Sequence, residues 1–184
     1  MKTFVTTLAF SALALSAFAG VSSGLKSGES VSPYHPNHFA GALAKSTNCF
    51  PCTYKMRPQT QVFVHGDNLE NVAKIAKALD DAMGKYGDQE FKALVVLITD
   101  KKSESATQAA GLKIAKDHKL NRVHMATITP DHEAVNLYKI NLDKSIKNTV
   151  IVYKNWKVAN TMTNLKGDAA GLKSLMASVS QVTK

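Results

Sequence analysis

The chain holds two cysteines, Cys49 and Cys52, in the run Ser46-Thr47-Asn48-Cys49-Phe50-Pro51-Cys52. A Cys-x-x-Cys pair brings two sulfurs within reach across one turn, and a disulfide in so short a loop opens and closes readily. Closing such a loop removes little entropy from the unfolded chain, so stabilisation alone is a poor reason for the pair. Thiol-disulfide exchange is the first chemistry to consider, with Cys49 attacking and Cys52 resolving. Thr47 and the backbone after Cys49 could hydrogen-bond a thiolate, and Pro51 stiffens the loop. Lys55 or Arg57 could lower the thiol pKa through their charge.

Two histidines upstream allow a second chemistry. His35, His38, Cys49 and Cys52 read His-x2-His-x10-Cys-x2-Cys. Two imidazoles and two thiolates suit tetrahedral zinc, and the soft sulfurs also suit copper(I). The order is the reverse of the usual finger, and exported thiols compete with oxidation. The plainer reading of His35 and His38 is that of exposed polar residues in a proline-rich loop. A third reading needs no cofactor: Cys49 and Cys52 form a static disulfide in a binding module.

Other chemistry-bearing residues are weaker. His65 and Asp67 flank Gly66 in a turn and could form an acid-base pair. His118 ends a helix, where a cation suits the dipole. His124 and His132 have no partner visible in the sequence. Asp80 and Asp81 are adjacent in a helix, so they face different directions and make no catalytic dyad. No glycine-rich phosphate loop and no nucleophilic serine signature is present.

The net charge is +9 over 184 residues. The lysines are scattered along helices, as at Lys74, Lys77, Lys113 and Lys116, and Arg57 and Arg122 are the only arginines. Phosphate recognition favours the guanidinium fork, so this is the pattern of solvated helix faces and no nucleic-acid site is expected.

Residues 1–19 read as a signal peptide: Lys2, a mostly apolar run, then Ala17-Phe18-Ala19 as a small-x-small cleavage site. No stable membrane span is expected after cleavage, and the product would be periplasmic or secreted. Export also makes a disulfide the expected state of two cysteines. Residues 20–59 have the serine, glycine and proline content of an extension or linker, and they carry Cys49-x-x-Cys52. Residues 60–184 are regular. Strands are predicted around Val62-Phe63-Val64, over 91–99, over 122–129, at Thr149-Val150-Ile151-Val152-Tyr153 and over 157–163. Helices are predicted after Asn68, Ser103, Pro130 and Asp168. The order strand-helix-strand-helix-strand-helix-strand-strand-helix predicts an α/β domain. Its mixed sheet would have parallel strands, a C-terminal antiparallel hairpin, and flanking helices.

That order resembles a thioredoxin-like fold, and most nearly the bacterial exported thioredoxin-like and peroxiredoxin-like proteins. Thr47-Asn48-Cys49-Phe50-Pro51-Cys52 is similar to the family's Trp-Cys-x-Pro-Cys box. Tyr138-Lys139-Ile140, Thr149-Val150-Ile151-Val152-Tyr153 and Asn155-Trp156-Lys157-Val158 resemble its stretch before and through the final hairpin. The resemblance implies a redox-active centre at Cys49 and Cys52, with exported protein thiols or disulfides as partners. A peroxiredoxin-like role for Thr47-x-Cys49 is a minor variant, because no arginine is placed to stabilise the thiolate.

Three departures accompany the resemblance. The family's box follows the first central strand, whereas here the cysteines precede it, and His65-Gly66-Asp67-Asn68 stand where the box belongs. The family's cis-proline is replaced by Asn148. Asn48 stands where the box usually has an aromatic residue. Either the strand alignment is displaced by one element, or the redox site is relocated, or catalysis is lost. Cys52 lies eight residues before Thr60, enough to span about 26 Å extended, so an N-terminal segment could reach the usual edge of the sheet.

Overall fold

The structure is a computed structural model and describes residues 22–184. The expected signal peptide over 1–19 lies outside the described residues. The first strand is β1 (Asn37–Ala40), followed by the short helix α1 (Phe50–Tyr54). Then come β2 (Gln59–Val64), α2 (Leu69–Lys85), β3 (Lys92–Ile98), α3 (Glu104–Asp117), β4 (His124–Ile128) and α4 (Glu133–Leu137). The hairpin β5 (Asn148–Lys154) and β6 (Lys157–Thr163) precedes α5 (Ala169–Val182).

The six strands form one sheet in the order β1-β4-β3-β2-β5-β6. Strands β2, β3 and β4 are parallel neighbours, while β5 runs antiparallel to β2 and β6 antiparallel to β5. This is the α/β mixed sheet that the pattern predicts. Val62, Leu94, Val95, Val96 and Val150 are essentially sealed from solvent, as expected of strands covered on both faces. The hairpin turn places Asn155 and Trp156 at φ 54° and 64°, the doubly positive pair of a turn matched to strand twist.

Each sheet face has its own core. On the first face α2 packs Val72, Ile75, Ala76 and Leu79, and α5 packs Leu175 and Val179, against Val62, Val95 and Val150. Helix α2 starts cleanly because the Asn68 side chain accepts from the Asn71 N–H at 2.7 Å. The second face is covered by Leu25, Val31 and Tyr34, by Phe50 of α1, and by Ala134 and Tyr138 of α4.

This second cover changes the reading of residues 20–59. Composition gave them the character of a linker, yet residues 22–59 supply an edge strand, a helix and a large share of one core. Strand β1 pairs antiparallel with β4. The physical reason is compensation between distant parts of the chain. Tyr34 is fully buried, and its hydroxyl donates to Gln61 Oε1 on β2. Gln61 in turn donates to Tyr153 at 2.7 Å, and Tyr153 donates to Gln59 at 2.8 Å. The Tyr138 hydroxyl donates to the Ser32 carbonyl at 2.7 Å. Burial pushes the hydroxyls of Tyr34, Tyr138 and Tyr153 well above the ordinary phenol range, so all three remain neutral donors.

Asp80 has a structural role. It is buried, and one carboxylate oxygen accepts from the backbone N–H groups of Asn121, Arg122 and Val123 at 2.9, 2.6 and 2.9 Å. It anchors the entry into β4. Asp81 is exposed and pairs with Lys77.

Candidate functional site

Cys49 and Cys52 are joined in a disulfide with Cα atoms 5.2 Å apart. Cys49 is the N-cap of α1, and its sulfur accepts from the Cys52 N–H at 3.2 Å. The Cys49 carbonyl accepts from the Thr53 N–H at 3.0 Å and the Thr53 hydroxyl at 2.9 Å. Pro51 lies in the first turn, where its fixed φ suits a helix start. Cys49 is only 5% exposed, whereas Cys52 is exposed. The more exposed residue of the pair is thus the second, Cys52, not the one assigned the attacking role from the motif.

The helix is seated on His124, the first residue of β4. The Phe50 ring lies 5.3 Å from the imidazole and the Tyr54 ring 5.4 Å from it. The Tyr54 hydroxyl shares a hydrogen bond with His124 Nε2 at 3.0 Å. Burial first, then the nearby His38 and Lys92, brings the His124 pKa down to about 4. His124 Nδ1 is buried and has no hydrogen-bond partner among the described residues. Gly41, at φ +83°, lets the backbone pass this ring, since a Cβ there would lie 2.8 Å from Nδ1.

The histidines of the metal reading have other partners. Nδ1 of the exposed His35 donates to the Thr47 carbonyl at 2.9 Å. Nε2 of the buried His38 donates to the Asn48 carbonyl at 2.9 Å. They tie the segment leading to Cys49 against β1 and its approach. The two sulfurs are bonded to each other, and among the described residues no group of three or more His, Cys, Asp or Glu side chains is placed to hold a metal ion. The zinc or copper alternative therefore has no assembled ligand set here. The Cys49 sulfur takes its hydrogen bond from Cys52 and not from Thr47. Arg57 pairs with Glu90 at 2.7 Å, which offsets its charge.

The disulfide does not lie at the β2–α2 turn. Both ends of α1 touch His124, and Lys92, which opens β3, sits 5.6 Å over the Tyr54 ring. Helix α1 is therefore at the start of the parallel strands. His65, Gly66, Asp67 and Asn68 follow the end of β2, about 20 Å away along a six-residue strand.

That other end is closed by a polar knot. Asp67 accepts from the Asn71 side chain at 2.7 Å and from the Asn148 side chain at 2.6 Å. Asn148 also donates to the Leu165 carbonyl at 2.9 Å and accepts from its N–H at 2.8 Å. No cis peptide bond occurs among the described residues, so the cis-proline expected from the resemblance has no counterpart at Asn148 in type or conformation. Asp67 spends its carboxylate on Asn68, Asn71 and Asn148 rather than on His65, so the supposed His65–Asp67 pair is not formed. Beside the knot is a cavity of about 550 Å³ lined by Asp67, Asn71, Lys74, Lys147, Asn148 and Lys166 among others.

Three residues of these two ends escaped sequence reasoning. Tyr54 and His124 meet across 70 positions, and no local pattern signals such a pair. Asn71 looks like one more polar helix residue, although it links Asp67 to Leu165 and Gly167.

Solved structures agree with the architecture. The peroxidoxin BcpB from Mycobacterium tuberculosis matches with a TM-score of 0.63 at 12% identity, covering 86% of this chain and 98% of that chain. The fold is thioredoxin-like. The thioredoxin domain of a thiol-disulfide oxidoreductase from Bacteroides vulgatus matches at 0.59 and 12% identity, covering 86% and 99%. A DsbF homologue from Corynebacterium diphtheriae matches at 0.61 and 12% identity, covering 89% and 95%. At these identities the likeness concerns the fold. No family model matches the chain, and no curated protein matches it. Among the described residues no helix is long and apolar enough to cross a membrane.

Proposed function

We propose that this chain carries out thiol-disulfide exchange through Cys49 and Cys52, as an exported protein acting on the thiols or disulfides of other exported proteins. The observation that carries the reading is a disulfide three residues in span with one of its two cysteines exposed. Its thioredoxin-like body is shared with proteins named as thiol-disulfide oxidoreductases. The signal-like residues 1–19 support a periplasmic or secreted location. In this reading residues 20–59 carry the redox pair and residues 60–184 form the body that supports it. In the same reading the redox pair acts from the start of the strands instead of the end of β2.

A second reading, a binding module with a static disulfide, is favoured by the Asp67–Asn148 knot, because the usual redox edge of the fold holds no thiol. Redox titration in glutathione buffers, with metal assayed on the same sample, separates the two. A reversible two-electron transition above about −270 mV is expected for exchange. A disulfide resisting reduction below about −300 mV would leave the binding module. Stoichiometric metal with free thiols would overturn both.

A further inference from the structure

Resting on the exchange reading, we infer that Cys52 is the sulfur attacked by an incoming thiolate and that Cys49 is the leaving group. This reverses the roles that the motif suggests. Exchange at sulfur is an in-line displacement, so the nucleophile approaches the attacked sulfur from the side opposite its bonded partner. For Cys52 the approach is from solvent, because Cys52 is exposed. For Cys49 it is through protein. Cys49 is 5% exposed, the neighbouring Phe50 is fully buried, and the Asn48 carbonyl is held by buried His38 at 2.9 Å.

The leaving side is also prepared. The Cys52 N–H already donates to the Cys49 sulfur at 3.2 Å. Negative charge arriving on Cys49 meets a donor in place, and a hydrogen bond to the charged form favours it. The backbone around Cys49 is held by Thr53 from one side and by His38 from the other. The leaving sulfur is therefore kept close to the mixed disulfide and can return to it.

A substrate thiolate attacks Cys52 Sγ, a substrate–Cys52 disulfide forms, and the Cys49–Cys52 bond breaks with its electron pair on Cys49. The second thiolate of the substrate dithiol attacks the substrate sulfur and releases Cys52 as thiolate. The substrate dithiol is oxidised to a disulfide. The protein disulfide is reduced by two electrons, and the two substrate protons end on Cys49 and Cys52.

The test uses the oxidised full chain and reduced glutathione. The reaction is quenched in acid and the adduct located by peptide mass. Glutathione on Cys52 is expected, and glutathione on Cys49 overturns the inference. Single-cysteine chains give a second measurement that does not depend on reducing the disulfide. Cys49→Ser should react with DTNB at least tenfold faster than Cys52→Ser when folded, and at the same rate as Cys52→Ser in urea. A folded ratio under tenfold, or a reversed one, overturns the assignment. A disulfide that glutathione never opens would refute the exchange reading, while the DTNB rates would still decide which sulfur is accessible.

Discussion

The Tyr54 hydroxyl lies 3.0 Å from His124 Nε2, so the last residue of α1 is bonded to the first residue of β4. The two residues are 70 positions apart in sequence. This contact seats the disulfide helix at the start of the parallel strands and away from the β2–α2 turn. Several consequences can be measured.

Acid should weaken the fold through His124. Its pKa falls from 6.5 to about 4 on folding, chiefly through burial. Between these values the unfolded chain binds the proton and the folded chain does not, so stability is full above about pH 6.5 and is lost as the pH drops towards 4. The loss is on the order of 3 kcal/mol, and His38, also lowered by burial, acts in the same direction. Urea unfolding at pH 7 and pH 4.5 measures it. A His124→Gln chain with an unchanged pH slope would refute the assignment.

Reducing the disulfide should cost only about 2 kcal/mol, because the closed loop is so short. Urea unfolding with and without dithiothreitol gives the difference. A loss above about 4 kcal/mol would make the pair a staple rather than a reversible centre.

Asp80→Ala should destabilise by about 3 kcal/mol, since three backbone N–H groups lose their acceptor in a buried place. Asp81→Ala, which removes an exposed pairing with Lys77, should cost under about 0.5 kcal/mol. Equal effects in thermal unfolding would contradict the structural role of Asp80.

Asn148→Ala should cost about 2–3 kcal/mol by stripping partners from Asp67 and Leu165. The Cys49–Cys52 potential should not move, because the knot and the disulfide stand at opposite ends of β2. A shift in that potential beyond experimental error would show that the two ends are coupled.

Gly41→Ala should destabilise by about 1–3 kcal/mol, given a left-handed φ and a Cβ placed 2.8 Å from His124 Nδ1. Near-wild-type unfolding would mean that the ring moves aside.

How much was legible in the residues follows from the range of each interaction. Strands such as Ala93-Leu94-Val95-Val96-Leu97-Ile98 and helices such as that capped by Asn68 announce themselves, because periodicity and capping act within a few residues. The hairpin at Asn155-Trp156 is local too. The α/β class and element order of residues 60–184 were therefore readable, as was the likelihood of a Cys49–Cys52 bond. Strand β1 was not. Four residues of mixed polarity become a strand only because β4 offers an open edge.

The site divides in the same way. Two sulfurs within one turn, an asparagine rather than a proline before the Thr149 strand, and a β2–α2 turn without a thiol could all be read from the residues alone. Only the tertiary structure decided that the sulfurs sit at the start of the strands, that Cys52 rather than Cys49 faces solvent, and that His35 and His38 bind carbonyls. Spacing fixes which atoms can meet along a few bonds of chain. Exposure, the seat of a helix on a sheet and the partner of a ring nitrogen depend on which distant surfaces close over them.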